Sequence, residues 1–326
     1  MSQNIGIGKT GLGLSAAVAL ALIALAYVYQ PALELSGMPG ICLPPATEWI
    51  DGTWSWIVNL LVIAGIGLGI NFLNREFNFI KTTQPVLPAV FLLLASSNPW
   101  LTDTLNSSVL MCAVNIISLA LLFGVYDITN ATRELFTIGT FIAIGSMFEY
   151  AFLAMVPVYL IGALTMKVLR LKEFVAFCLG LLAPYWVAVG LGIIPLSGFR
   201  IPHTSFIFEG YQKASELFLL LLNVGTAIFI GVCIGVTNSM KLYAGNSRVN
   251  AMNFVIYVMG AVCAVCVIAD FDNMLAYLGT LYFTVAVQIA NLCAIWNFRH
   301  EWIITLIAAL FAIAFFVLAS FLDPVG

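Results

Sequence analysis

Nine stretches of this chain, residues 11–29, 55–73, 85–101, 108–125, 174–195, 217–240, 252–269, 273–295 and 302–322, run without a single Asp, Glu, Lys or Arg. At about 1.5 Å per residue, a helix of that length covers most or all of a roughly 30 Å hydrocarbon core. The composition agrees: 62% of residues are hydrophobic and 8% charged, where a soluble domain carries about 25% charged residues. The class that follows is all-α, a polytopic helical membrane protein forming one transmembrane domain over residues 1–326. The loops are short and leave no room for a soluble domain. The first stretch reads as a span that is kept, because it exceeds the about 7–15 apolar residues of a signal peptide core.

Residues 135–166 are harder to place. A single helix there would be about 48 Å long, more than one crossing needs. Arg133 precedes the stretch, and Lys167, Arg170 and Lys172 follow it. Positive loops stay in the cytoplasm, so the chain must enter and return. Two short helices with Glu149 and Tyr150 at the turn satisfy this and give about 11 membrane segments. Lys9, Arg75, Lys81, Arg133, Lys167, Arg170, Lys172, Lys241, Arg248 and Arg299 then face the cytoplasm, leaving Arg200 and Lys213 outside. The N-terminus is cytoplasmic and the C-terminus outside. Glu34, Glu48, Asp51, Asp103, Glu149, Glu209, Glu216, Asp270, Asp272 and Asp323 fall on the outer side, and Trp54, Trp56, Trp100, Trp296 and Trp302 sit at span ends as interfacial anchors.

Several motifs have packing explanations. Gly65-x-Gly67-x-Gly69 lacks the strand a dinucleotide loop needs, so Gly65 and Gly69, like Gly231 and Gly235, read as close helix contacts. Cys263 and Cys266 sit mid-span without a nearby His or carboxylate and read as small packing residues. His203 and His300 fall on opposite sides and cannot share a metal. Asn98-Pro99 marks an early helix break or a span end. The span interiors hold amides rather than charges, namely Asn59, Asn71, Asn115, Asn223, Gln288 and Asn291, which suit interhelical hydrogen bonds. No proton relay, charge ladder or paired repeat of broken helices appears, which counts against a proton-coupled transporter but leaves a facilitator for neutral solutes. No cationic cluster suits nucleic acid.

Span length brings two acids into play. A helix over 135–148 reaches about 21 Å and one over 85–101 about 25 Å, so Glu149 and Asp103 stop short of the outer surface. Turns at that depth sit inside protein or beside a water-filled cavity. The expectation is an outward-open acidic cavity floored by Asp103 and Glu149, with Asp270 and Asp272 at its rim. Such carboxylates hold Mg²⁺ or Mn²⁺, or act as a general base. Arg200, beside His203, suits a lipid phosphate or a plain loop salt bridge.

The run 73–194 resembles an uncharacterised family of multi-pass inner-membrane proteins of Bacteroidota, on Leu73-Asn74-Arg75-Glu76, Ser97-Asn98-Pro99-Trp100, Asn106-Ser107-Ser108 and the segment from Gly139 to Tyr150. The resemblance implies a bacterial cytoplasmic membrane and brings no activity. Segments 141–146 through Met166-Lys167, then Arg170 to Pro184, are similar in kind to membrane glycosyltransferases that use polyprenyl-phosphate sugars. That likeness implies an outer-leaflet transfer with the base in the first outer loop, at Glu48 or Asp51. Asp103 and Glu149 would hold metal or substrate, and Arg200 with His203 the lipid phosphate. Two alternatives stand beside it: a carrier for a neutral solute, and a structural subunit of an envelope complex with a protein partner. Membrane lipids are partners in every case.

Overall fold

In a computed structural model describing residues 3–29, 40–45, 48–50, 52–80, 86–200, 214–242, 246–296 and 301–321, the chain is helical, with no strand among the described residues. Glu34, Asp51, Lys81, His203, Glu209, Lys213, His300 and Asp323 lie outside the described residues. The helices are α1 (Gln3–Tyr29), α2 (Gly52–Phe77), α3 (Val86–Ser96), α4 (Pro99–Thr102), α5 (Ser107–Gly124), α6 (Thr132–Phe148), α7 (Met155–Thr165), α8 (Leu171–Gly190), α9 (Ala214–Leu242), α10 (Ser247–Ala269), α11 (Met274–Ile295) and α12 (Glu301–Phe321). Among the described residues, 7 helices are long and apolar enough to cross a membrane, and Leu12–Val28, Val86–Ser96 and Tyr150–Thr165 are shorter apolar helices. The chain is a multi-pass membrane protein.

Helix α11 is the axis of the bundle. It is buried along most of its length and packs on α3, α5, α9 and α10. Polar side chains fix its neighbours at set levels, since an amide in hydrocarbon must find a partner. Asn115 donates to Thr280 at 3.0 Å and accepts from Tyr159 at 3.0 Å, Asn223 donates to Ser97 at 3.2 Å, and Asn291 donates to Asn253 at 2.7 Å. Asn59 donates to the Leu101 carbonyl at 3.0 Å. Asn71 is exposed and takes no part. A second apolar cluster joins Leu22 and Ala26 of α1 to Leu93 of α3 and Ala309, Ala312 and Phe316 of α12.

The third apolar stretch is not one helix. Helix α3 stops at Ser96, and Asn98 caps the four-residue α4 by accepting the Trp100 N–H at 3.1 Å, with Pro99 at the first helical position. Trp100, expected as an interfacial anchor, is buried instead, while Trp54, Trp296 and Trp302 are exposed. On α2 Gly69 packs as expected, but its companion is Gly67 rather than Gly65. Gly67 meets Leu92 and Gly69 meets Ile116, whereas Gly65 faces open space. Gly231 and Gly235 do pack on α11, against Val285 and Gln288.

The stretch 135–166 divides as its flanking charges require, into α6, a turn at Glu149, a 3₁₀ turn over Tyr150–Ala154, and α7. Most described cations share one end of the bundle, together with Glu76, Asp127, Glu134 and Glu173. Arg75, Arg133, Lys167, Arg170, Lys172 and Arg248 belong to the end where α2, α5, α7 and α9 finish, knitted by Asp127 N–H to the Met166 carbonyl at 3.0 Å and Arg248 to the Phe123 carbonyl at 3.4 Å. Glu149, Asp103 and Asp270 belong to the other end, where α6 and α10 finish and α5 and α11 begin.

Candidate functional site

The break after Phe148 is built by small residues and capped by loops. The turn at Tyr150–Ala154 folds back so that the Phe152 ring lies on Gly145, where any Cβ would collide with it. This leaves carbonyls at the end of α6 without helical partners. The segment around residues 40–43 supplies them: Ile41 N–H donates to Ser146 at 3.2 Å and Leu43 N–H to Met147 at 2.9 Å. Gly40 is required there, because a Cβ would run into the Met147 carbonyl. Arg200 N–H then donates to the Ile41 carbonyl at 2.7 Å, and the Trp49 ring meets Phe148 edge-on at 5.6 Å. The segments around residues 40–49 and around Arg200 therefore converge on the end of α6.

Directly beneath them lie two buried carboxylates. Glu149 is 2% exposed and accepts a 2.6 Å hydrogen bond from Ser107, the first residue of α5. The Asn273 amide lies beside the same carboxyl and also acts on it. Asp270, 4% exposed, ends α10 and accepts from Tyr150 at 2.7 and 2.8 Å and from Tyr277 at 3.0 Å. Five elements thus meet at one small polar centre.

The two acids are not equivalent. Burial pushes the Glu149 carboxyl up to about 7; the Ser107 hydroxyl and Asn273 amide pull it down in part, and the nearby Asp270 raises it. No cation acts on it among the described residues. Asp270 instead takes three hydroxyl contacts, two from Tyr150 and one from Tyr277.

No family model, curated protein or solved structure matches this chain.

The residues expected from sequence fall in different places. Glu149 is enclosed in protein, not standing on an open floor. Asp103 is partly exposed and accepts from Thr104 at 3.2 Å; burial pushes it up to about 6 against the Thr104 hydrogen bonds. Glu48 is exposed beside Trp49, and Arg200 is exposed on the loop that meets Ile41. Asp51 and His203 lie outside the described residues, as does the side chain of Asp272. Mg²⁺ and Mn²⁺ take about six oxygen ligands; among the described residues no group of three or more His, Cys, Asp or Glu gathers to supply them. Sequence reasoning missed Asp270 as a direct neighbour of Glu149, and Ser107, Tyr150, Asn273 and Tyr277 altogether. The available signal was positional: each sits at the first or last turn of a segment at the same end of the bundle.

Proposed function

We propose that this protein is a proton-coupled membrane carrier for an uncharged substrate, with Glu149 as the group that takes up and releases the coupling proton. The observation that carries this is the enclosure of Glu149, which is 2% exposed: one oxygen on Ser107, the Asn273 amide and Asp270 beside it, and loop backbone closing the end of α6. A carboxyl that titrates near neutrality but is sealed exchanges its proton only when the surrounding helices part. Protonation and opening are then linked, and a state that exposes Glu149 is favoured as pH rises. The amide-lined, charge-free span interiors suit an uncharged substrate.

Proteoliposomes carrying an internal pH dye test the coupling, with glycerol, glucose and monoolein as probes. Substrate-dependent proton uptake that disappears in Glu149→Gln and survives in Glu48→Gln is the expected result. Coupled uptake at the wild-type rate in folded Glu149→Gln overturns the proposal.

A second reading has its own observation. The loops bearing Glu48 and Arg200 meet at the Arg200–Ile41 hydrogen bond over Glu149, the convergence an outer-leaflet polyprenyl-phosphate transferase requires. In that reading Glu48 or Asp51 is the base, Arg200 and His203 hold the lipid phosphate, and Asp103 with Glu149 holds Mg²⁺ or Mn²⁺. Metal-dependent transfer from a polyprenyl-phosphate sugar, lost in Glu48→Gln or Asp51→Asn, supports it; its absence in intact protein removes it.

A further inference from the structure

Helices α9 and α10 both lean on α11 but touch each other little, so a groove runs between them with α11 as its floor. Gly231 and Gly235 on one wall and Gly260 on the other keep it open, with Leu281, Thr284 and Gln288 beneath, around a cavity of about 330 Å³. Over residues 254–264 of α10 it extends about 15 Å by helix rise. Val232, Val236 and Phe254 stand exposed along its mouth, on a surface of the kind that faces hydrocarbon chains. A second cavity of about 320 Å³ adjoins it near the start of α10, lined by Thr165, Ser247, Asn250 and Asn253. Ser239, Phe254 and Tyr257 border both, so the groove continues into a chamber that is still mostly apolar but carries hydroxyl and amide side chains. No charged side chain lines either one among the described residues.

The polar atoms here are incomplete in a consistent way. Gln288 is 7% exposed, and its Oε1 has no hydrogen-bond partner. Asn250 Oδ1 is likewise unpartnered, while the Tyr257 hydroxyl between them already has the Asn238 and Asn291 amides beside it. Both unpartnered atoms accept only. A neighbour that completes the set must bring donors. An orphan carbonyl facing hydrocarbon is costly, and a saturated lipid chain offers it nothing.

From this juxtaposition we infer that the α9–α10 groove seats an uncharged, hydroxyl-bearing amphiphile, its single chain along the apolar groove and its hydroxyls at Gln288 and Asn250. The mostly apolar walls select a chain over a free sugar, and the absence of charge selects a neutral head over a phosphate. Binding at this site requires no proton step, so it stands or falls apart from the coupling role of Glu149.

The test compares 1-monoolein with methyl oleate, which share the chain and differ in the hydroxyls, on protein in phosphatidylcholine nanodiscs, read by native mass spectrometry. Monoolein should be retained roughly fivefold to tenfold more tightly, as one or two net hydrogen bonds allow. Gln288→Met should erase that preference while still holding the chain. Gly235→Leu, whose Cβ meets only ordinary contacts at 3.5 Å, should fill the groove and expel both lipids. Equal retention of the two by wild-type protein overturns the hydroxyl assignment and leaves water in the chamber. Undiminished monoolein retention in folded Gly235→Leu overturns the groove itself.

Discussion

The carboxylate centre under the α6 break and the amide groove between α9 and α10 solve opposite problems with the same means. Ionised groups are too costly within a span, so Glu149 and Asp270 sit where helices end, and side chains from α5, α11 and the turn after α6 converge as donors. Amides cost less and sit within the spans, one part of them completed by neighbours and another left open toward the groove. Glycine shows the contrast best. Around α6 it permits backbone contact: a Cβ on Gly180 would strike the Phe136 carbonyl, and one on Gly139 the Phe177 carbonyl. Along the groove, Gly235 meets nothing closer than 3.5 Å, whereas a Cβ on Gly260 would strike Thr284. Gly139 and Gly180 serve close backbone packing, and Gly235 leaves open space.

The largest expected effect breaks the α6–α8 contact. Gly180→Val must force α6 and α8 apart and should cost about 3 kcal/mol or more, since neither backbone has anywhere to move. Gly235→Val should stay within about 1 kcal/mol. Thermal unfolding in nanodiscs compares the two directly, and equal losses would mean that both glycine faces are packed alike.

A medium effect comes from pH. The folded-state pKa of Glu149 is raised from 4.5 to about 7, so the folded protein binds more protons than the unfolded chain between those values. Stability is therefore greatest below about pH 4.5 from this group and falls as pH rises toward 7, by about 3 kcal/mol in all. Glu149→Gln should flatten that slope and lie above wild type at pH 8. Equilibrium unfolding over this range in both proteins measures it, and a wild-type slope that persists in the variant would assign it to Asp103, whose carboxyl is raised to about 6.

Much of this architecture is legible in the sequence because the bilayer imposes it. Charge-free runs mark the long helices, and cations flanking 135–166 require a turn that the structure places at Glu149. Asn98-Pro99 announces the break between α3 and α4 through the missing proline N–H and the capping amide. The partner of Glu149 is not legible in this way. Asp270 lies 121 residues later in a four-residue turn, and hydropathy assigns both acids to loops, where solvation would be assumed. Only packing shows that Ser107, Tyr150 and Tyr277 close over them. Trp100 fails for the same reason: a span end is an interface only when no neighbouring helix covers it.

The smallest effect separates completed from incomplete amides on a single helix. Asn291 donates to Asn253 at 2.7 Å, and Asn253 spends its own amide on the Phe79 and Val249 carbonyls, both at 3.0 Å. Asn291→Leu orphans the Asn253 oxygen and should cost about 1–3 kcal/mol. Gln288, one turn earlier on α11, gives its Oε1 to nothing. Gln288→Met conserves much of the volume and removes an unsatisfied acceptor, so stability should change by less than about 1 kcal/mol, and in the stabilising direction. The test belongs in lipid lacking free hydroxyls, because a donor lipid would complete Gln288 and hide the gain. A loss equal to that of Asn291→Leu in such lipid would mean that Gln288 already holds the helices together, and the groove would then be a packed interface rather than a seat.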